Sequence, residues 1–290
     1  MVEMMHRVKT IRALRRHVRT WRDRRETVAF VPTMGALHIG HERLIERARK
    51  LADRTVVSIF VNPLQFGVGE DFDAYPRPLS DDLAVCRTHE VDLVFTPDPK
   101  TVYPDGFNTN VHVGDLGDLW EGAARPGHFD GVATVVLKLF NMVQPDVAVF
   151  GQKDYQQLLI IRRIVRDLDI LVRIVMAPTV RERGGLAVSS RNVYLDPPSR
   201  AAAESLYRAL RWARMEISQS TTSVRKLRGV VRRMVEAGGL FELDYVAFCD
   251  RDTLKEKQSL KPPLVILIAA VCKVPGAAHG RRFIDNILVP

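Results

Sequence analysis

Five short runs rich in β-branched and apolar residues, Thr27–Pro32, Thr55–Val61, Asp92–Phe95, Val147–Phe150 and Val172–Met176, alternate with stretches of helical periodicity. Those stretches lie near His41–Ala52, Asp81–Glu90, Gly131–Val143 and Tyr155–Leu168. A strand that is apolar along its length is buried on both faces, and helices placed between such strands supply the crossovers that cover it. The pattern therefore predicts an α/β domain built on a doubly wound parallel sheet. Sheets of this kind bind ligands beyond the carboxyl ends of their strands, so the loops that follow the strands are where function is sought.

The pattern changes after about residue 180. Helices near Ser199–Ser218 and Ser223–Ala237 are followed by strand candidates Leu243–Phe248, Leu264–Cys272 and Phe283–Val289. Helices followed by consecutive strands read as a smaller α+β unit. The boundary is placed in the Gly-containing stretch Arg181–Ser190, giving domains 1–184 and 185–290, with the second expected to close over the active site. Phe66–Ser80, with Gly, Asp and Pro but little periodicity, reads as a mobile surface loop.

The net charge of +9 raises nucleic acid as a partner, but +7 of it falls in residues 1–25. There Val8, Ile11, Leu14, Val18 and Trp21 mark one apolar helix face, which leaves the arginines mainly on the solvated one. A solvated face outweighs a nucleic-acid or membrane patch. The longest apolar run, Leu264–Cys272, is too short to span a bilayer. No basic segment leads into a secretory apolar stretch. Cys86, Cys249 and Cys272 are scattered, odd in number and outside CxxC spacing. A cytoplasmic protein without a structural zinc site is expected.

Chemistry concentrates at four places. Pro32-Thr-Met-Gly-Ala-Leu-His38-Ile-Gly40-His41 lies where a strand gives way to a helix. Glycines there let the backbone approach phosphate oxygens, the helix N-terminus offers N–H groups, and His38 and His41 add donors. Phe150-Gly151-Gln152-Lys153-Asp154 again follows a strand, and Lys153 can meet phosphate oxygens as a point charge, with Asp154 suited to capping the next helix. Ala187-Val188-Ser189-Ser190-Arg191-Asn192 supplies two hydroxyls and a guanidinium in succession, though it is also good turn chemistry. With the histidine motif it becomes specific, because two phosphate-binding loops flanking a cleft suit adenylyl transfer. Asn62, Gln65 and Gln157 are neutral amides able to hold a hydroxy acid without the strong ion pair that would blunt a carboxylate nucleophile. Each amide taken alone equally suits a loop hydrogen bond.

With these residues assembled, the chain resembles the pantothenate synthetase (pantoate–β-alanine ligase) family. The similarity runs from the N-terminal helix to about Asp196 and is dense at VPTMGALHIGH, VSIFVNPLQF, EGAARPGHFDGV, FGQKDYQQL and GLAVSSRN. Beyond it, only Phe283-Ile-Asp-Asn-Ile matches, to the family's last strand. The resemblance implies the Rossmann-like fold of the HIGH-type adenylyltransferases, the use of ATP and Mg2+, and a homodimer.

It also implies roles. Met34, Gly35, Ala36, Leu37, His38, Ile39, Gly40 and His41 would contact ATP, with His41 in the position of proton donor and His38 stabilising the reacting phosphate. Gly151, Gln152, Lys153, Asp154, Val180, Val188, Ser189, Ser190 and Arg191 would complete the nucleotide site. Lys153, Ser189 and Arg191 would balance triphosphate charge. Gln65 would contact pantoate and later β-alanine, and Gln157 would hold pantoate beside Asn62. Asp81 and Asp82 match an acidic pair associated with magnesium, and equally suit the solvated first turn of a helix. Glu121 and Arg125 match positions lining the family cleft, and an ion pair shaping that loop would explain them too.

Two positions depart from the family pattern. Gln152 stands where Glu is usual, and Gly184 where Asp is usual, which would loosen the loop presenting Ser189 to Arg191. The implied reaction joins pantoate to β-alanine through a pantoyl-adenylate, with Phe66–Ser80 shielding the adenylate from water. A nucleotidyltransferase of the same superfold is the alternative. It would be expected to show Arg/Lys-rich acceptor contacts in place of paired glutamines.

Overall fold

The computed structural model describes residues 5–67, 69–70, 72–219, 223–273 and 280–290. Six strands form one sheet: β1 His6–Val8, β2 Val28–Thr33, β3 Arg54–Ile59, β4 Leu93–Phe95, β5 Val147–Gly151 and β6 Arg173–Ala177. Their order is β1-β4-β3-β2-β5-β6, with every pairing parallel. The doubly wound reading is therefore met. Chain order reverses between β2 and β5, which makes their carboxyl ends the switch point of the sheet.

Helices α1 Ile11–Asp23, α2 Ile39–Arg49 and α3 Leu79–Thr88 precede three single-turn helices, α4 Pro99–Val102, α5 Asp115–Asp118 and α6 Glu121–Ala124. Then come α7 His128–Val143 and α8 Tyr155–Asp167. Alternation along β2 sends Ala29 and Val31 into a core with Ile45 and Ala48 of α2 and Leu83 and Cys86 of α3. Phe30, between them, points the other way and meets Phe140 of α7 edge-on at 6.4 Å.

One expectation is corrected in this part of the chain, and the loop after β3 is found to carry contacts of its own. Val8 does not extend the first helix. It lies in β1, and Thr10 caps α1 by accepting from the Ala13 amide, so the helical stripe is Leu14, Val18 and Trp21. Nor is the segment after β3 bare loop, although Val68 and Asp71 of that segment lie outside the described residues. Phe66 packs on Phe72 and Tyr75 with ring centroids 5.3 and 6.0 Å apart, and Tyr75 is buried. Arg77 donates to the carbonyls of Phe72, Asp73 and Tyr75. Carbonyls satisfied by Arg77 and three packed rings, the buried Tyr75 among them, tie this segment together.

The chain divides into two compact units, residues 1–152 with 156–178, and residues 153–155 with 179–290. The second unit contains α9 Pro197–Ser218, α10 Val224–Glu236 and an antiparallel sheet in the order β7 Phe241–Cys249, β8 Leu264–Cys272, β9 Arg281–Val289. Helix α9 begins two residues before the expected start because Pro197 and Pro198 fit its first turn, where no intrahelical N–H bond is due. Leu206, Leu210, Leu227 and Val231 of the helices pack against Phe248, Ile266 and Ile268 of the sheet, forming a separate core.

Candidate active site

Thr33 ends β2 by donating its hydroxyl to the Ser58 carbonyl at 2.7 Å. The chain then turns through Gly35 at φ +86° and Ala36 at φ +50°, a left-handed pair that aims successive amides to one side. Those amides meet Asp82 of α3. Ala36 donates to its Oδ2 at 3.0 Å and Leu37 to its Oδ1 at 2.7 Å, and the carboxylate is buried. Burial pushes the Asp82 carboxyl up, opposed by the two amides. Of the acidic pair Asp81 and Asp82 expected for magnesium, the buried member is thus engaged by the turn. Both Asp82 oxygens hold the turn, Asp81 is solvent-exposed, and among the described residues no three His, Cys, Asp or Glu groups cluster as a metal site.

The turn delivers His38 as the N-cap of α2, in a reciprocal capping box with His41. The Gly40 amide donates to His38 Nδ1 at 3.1 Å, and the His38 amide to His41 Nδ1 at 3.3 Å. A main-chain N–H can only donate, so in the neutral rings both Nδ1 atoms are acceptors and both Nε2 atoms carry the proton. The rings lie 4.1 Å apart at the positive end of the helix. Gly40 has a local reason as well: a Cβ there would stand 2.8 Å from His38 Cε1.

Beyond β3, Pro63–Gln65 form a 3₁₀ turn capped by Asn62. Asn62 and Gln65 are both buried, and Asn62 Nδ2 donates to Gln65 Oε1 at 3.1 Å. Gln65 Nε2 faces the Met34 thioether at 3.2 Å, which links this turn to the one after β2. The Gln65 carbonyl accepts from His128 Nδ1 at 2.7 Å and from Arg125 Nη2 at 3.2 Å. Arg125 Nη1 lies 3.1 Å from His128 Nε2, so a neutral His128 bridges the two. Burial, aided by Arg125, holds the His128 pKa down to about 4. The ion pair that shapes this loop joins Arg125 to Glu70, bidentate at 2.7 and 2.5 Å. Burial pushes the Glu70 carboxyl up, but the guanidinium outweighs it and holds it below the usual glutamate range.

Sequence reasoning misses His128, although it stands in the dense block EGAARPGHFDGV; its carbonyl partner lies 63 residues back along the chain and leaves no local pattern. Gly131 in the same block allows the 3₁₀ turn to lie on α7, because a Cβ there would collide with the Leu64 carbonyl. Gln157 is half-buried in the first turn of α8. Its neighbour Gln156 is buried and tethers the α5–α6 region, donating to Leu116 and Leu119 carbonyls and accepting from the Glu121 amide.

Gly151 ends β5, next to β2 in the sheet, and Gln152 follows it. Lys153 and Asp154 pack with the second unit, their side chains 3.6 Å apart. There Asn286 of β9, buried, donates to the Lys153 carbonyl at 2.9 Å. Asp285 beside it takes a bidentate pair from Arg181 at 2.6 and 2.9 Å. This explains why Phe283-Ile-Asp-Asn-Ile stands out in the last strand.

Val188 donates its amide to the Val180 carbonyl, and Arg181 bridges to Ala187, closing a hairpin-like loop. Ser189 caps the following 3₁₀ turn, Ser190–Tyr194, which contains Ser190 and Arg191. Asn192 ties that turn back to Glu182 and the Ala187 carbonyl, and Arg200 clamps Glu182 with two 2.7 Å contacts. The expected loosening at Gly184 meets these ties. The Glu204 carboxylate also fills the space there, where a Cβ would otherwise stand.

A family model described as pantoate-beta-alanine ligase matches residues 6–288. The pantothenate synthetase of Aquifex aeolicus (strain VF5) is 47% identical over 279 residues, covering 96% of each chain. A crystal structure of pantothenate synthetase from Thermus thermophilus is 48% identical and superposes with a TM-score of 0.90 over 98% of this chain and 99% of that one. The pantoate-beta-alanine ligase of Francisella tularensis, solved in complex with beta-gamma ATP and beta-alanine, is 32% identical, with a TM-score of 0.80 over 99% and 98% of the two chains.

Proposed function

The chain belongs to the pantoate–β-alanine ligase family, enzymes that join pantoate to β-alanine at the expense of ATP, and from that membership we propose how its residues divide the reaction. Pantoate's carboxylate attacks the α-phosphorus of ATP, giving pantoyl-adenylate and pyrophosphate. The neutral amine of β-alanine then attacks the acyl carbon, and AMP leaves with the electron pair of the broken C–O bond. Activation is required because a free carboxylate is a poor electrophile.

The observation that carries this reading is the pair of main-chain amides donating to Nδ1 of His38 and of His41 in the HxGH motif. Two imidazoles presenting Nε2–H at a helix N-terminus suit charge that develops on phosphate oxygens. His41 is proposed as proton donor and His38 as the group stabilising the reacting phosphate. Met34 to His41, Gly151 to Asp154, Val180 and Val188 to Arg191 are proposed to bind the nucleotide, with Lys153, Ser189, Ser190 and Arg191 meeting the triphosphate and the leaving pyrophosphate. Gln65, Asn62 and Gln157 are proposed for pantoate, and Gln65 for β-alanine in the second step. The protein acts by positioning and charge stabilisation, with no covalent enzyme intermediate.

Asp82 accepts the Ala36 and Leu37 amides, one on each oxygen, so it can add to a magnesium site only through its remaining lone pairs, with the exposed Asp81 beside it. We propose that magnesium enters as the complex of the nucleotide, and no step is derived through it. A homodimer in the cytoplasm is part of the same proposal. No helix among the described residues is long and apolar enough to cross a membrane.

The test is ATP–pyrophosphate exchange with pantoate, compared between wild type and His41→Ala. Pantoate-dependent exchange, lost in the variant, is expected; exchange without pantoate, or full activity in the variant, overturns the assignment. AMP release that depends on β-alanine separates this ligase from a nucleotidyltransferase.

A further inference from the structure

Three hydrogen bonds in a row decide which end of the Gln65 amide is presented. Tyr103, at the end of α4, donates its hydroxyl to Asn62 Oδ1 at 2.7 Å. The Leu64 amide donates to the same oxygen at 3.3 Å, and Asn62 Nδ2 donates to the Gly131 carbonyl at 3.1 Å and to Gln65 Oε1 at 3.1 Å. Two of these partners have fixed polarity, because a main-chain N–H only donates and a carbonyl only accepts. Together they give the Asn62 amide its orientation, and the Tyr103 hydroxyl, the shortest of its contacts at 2.7 Å, holds it there. Its second N–H then requires an acceptor on Gln65, which leaves Gln65 Nε2 on the far side, facing the weak acceptor of the Met34 thioether at 3.2 Å.

We propose that Tyr103 is a positioning residue for the acid substrate. Through Asn62 it locks Gln65 as a hydrogen-bond donor toward a carboxylate or hydroxyl oxygen, which displaces the thioether contact. This rests on Gln65 being the pantoate contact proposed above. Tyr103 is held for the task by ring contacts to Phe60 and Phe107 at 6.1 and 5.0 Å and by Lys138 over its ring at 5.7 Å. Burial pushes its phenol up, so the donating proton stays in place across the working range of pH.

The experiment is steady-state kinetics with pantoate and with ATP for wild type, Tyr103→Phe, Gln65→Ala and the double variant, with melting temperatures. Loss of one hydrogen bond to the relay should raise KM for pantoate about tenfold while leaving KM for ATP and the melting temperature near wild type. In the Gln65→Ala background, Tyr103→Phe should change KM for pantoate by less than about twofold, since residues acting in series are not additive. An unchanged KM in Tyr103→Phe, or additive effects in the double variant, overturns the relay while Gln65 keeps its role. An unchanged KM in Gln65→Ala overturns the pantoate assignment and the relay with it. Should Tyr103→Phe fold poorly, Asn62→Asp carries the test. It still accepts from Tyr103 and Leu64 but offers Gln65 no donor, so its rise in KM for pantoate should be smaller in the Gln65→Ala background than in wild type, the remainder being Asn62's own contact; an equal rise in both overturns the relay.

Discussion

Asp82 and Leu37 stand 45 residues apart in sequence, yet the Asp82 carboxylate accepts the Leu37 amide at 2.7 Å and so sets the approach of the chain to His38. Replacing Asp82 with Asn puts an N–H₂ group against one of two converging amides. A hydrogen bond to a buried charge contributes about 1.5–3 kcal/mol. Asp82→Asn is therefore expected to lose about 2 kcal/mol of stability in urea denaturation and at least about tenfold in pyrophosphate exchange. Raising magnesium should restore none of it. Recovery at high magnesium would make Asp82 a metal ligand after all.

Gly40 and Gly131 lie in helices, where Ala would ordinarily be favoured by about 1 kcal/mol. At Gly40 the new methyl meets only the His38 ring, 2.8 Å away, which can swing aside. Gly40→Ala should keep its stability within about 1 kcal/mol and still lose at least about tenfold in turnover, because the ring is displaced from its capping bond. A fully active Gly40→Ala enzyme would detach the ring position from catalysis.

At Gly131 the obstacle is backbone, the Leu64 carbonyl. Gly131→Ala should cost about 1–3 kcal/mol in chemical denaturation and raise KM for pantoate, since the 3₁₀ turn bearing Gln65 must lift off α7. Wild-type stability in this variant would mean that the turn yields without strain.

His128 provides a pH signature. Its folded pKa of about 4 lies below the unfolded value near 6.5, so between these values the unfolded chain binds more protons. The neutral ring's contribution is intact above pH 6.5 and is lost as pH falls toward 4. Between pH 7 and 4.5 wild type should lose about 2–3 kcal/mol more stability than His128→Gln, measured by urea denaturation at each pH. Parallel pH profiles for the two proteins would count against a buried neutral imidazole.

Much of the architecture was legible because a parallel strand buried on both faces must be apolar throughout, and the crossovers between such strands must be helical. Val147–Gly151 announces itself in this way, and Leu264–Cys272, the central strand of the antiparallel sheet, is apolar throughout for the same reason of burial on both faces. His6–Val8 did not, because three residues carry no usable period and their strand character comes from pairing with Leu93–Phe95. The motif residues were visible as well, since HxGH at a strand-to-helix junction combines local turn, cap and ring chemistry.

What the chain order alone determined is which segments become strands and helices, and which polar groups end up in the loops that follow the strands. Tertiary structure decided which partners those groups meet: the Ala36 and Leu37 amides at Asp82, Glu70 at Arg125, and the Tyr103 hydroxyl at Asn62 beside Gln65. The reason is physical. Burial periodicity is a property of neighbours along the chain, whereas a hydrogen-bond donor takes whichever acceptor the packed sheet and helices bring within about 3 Å.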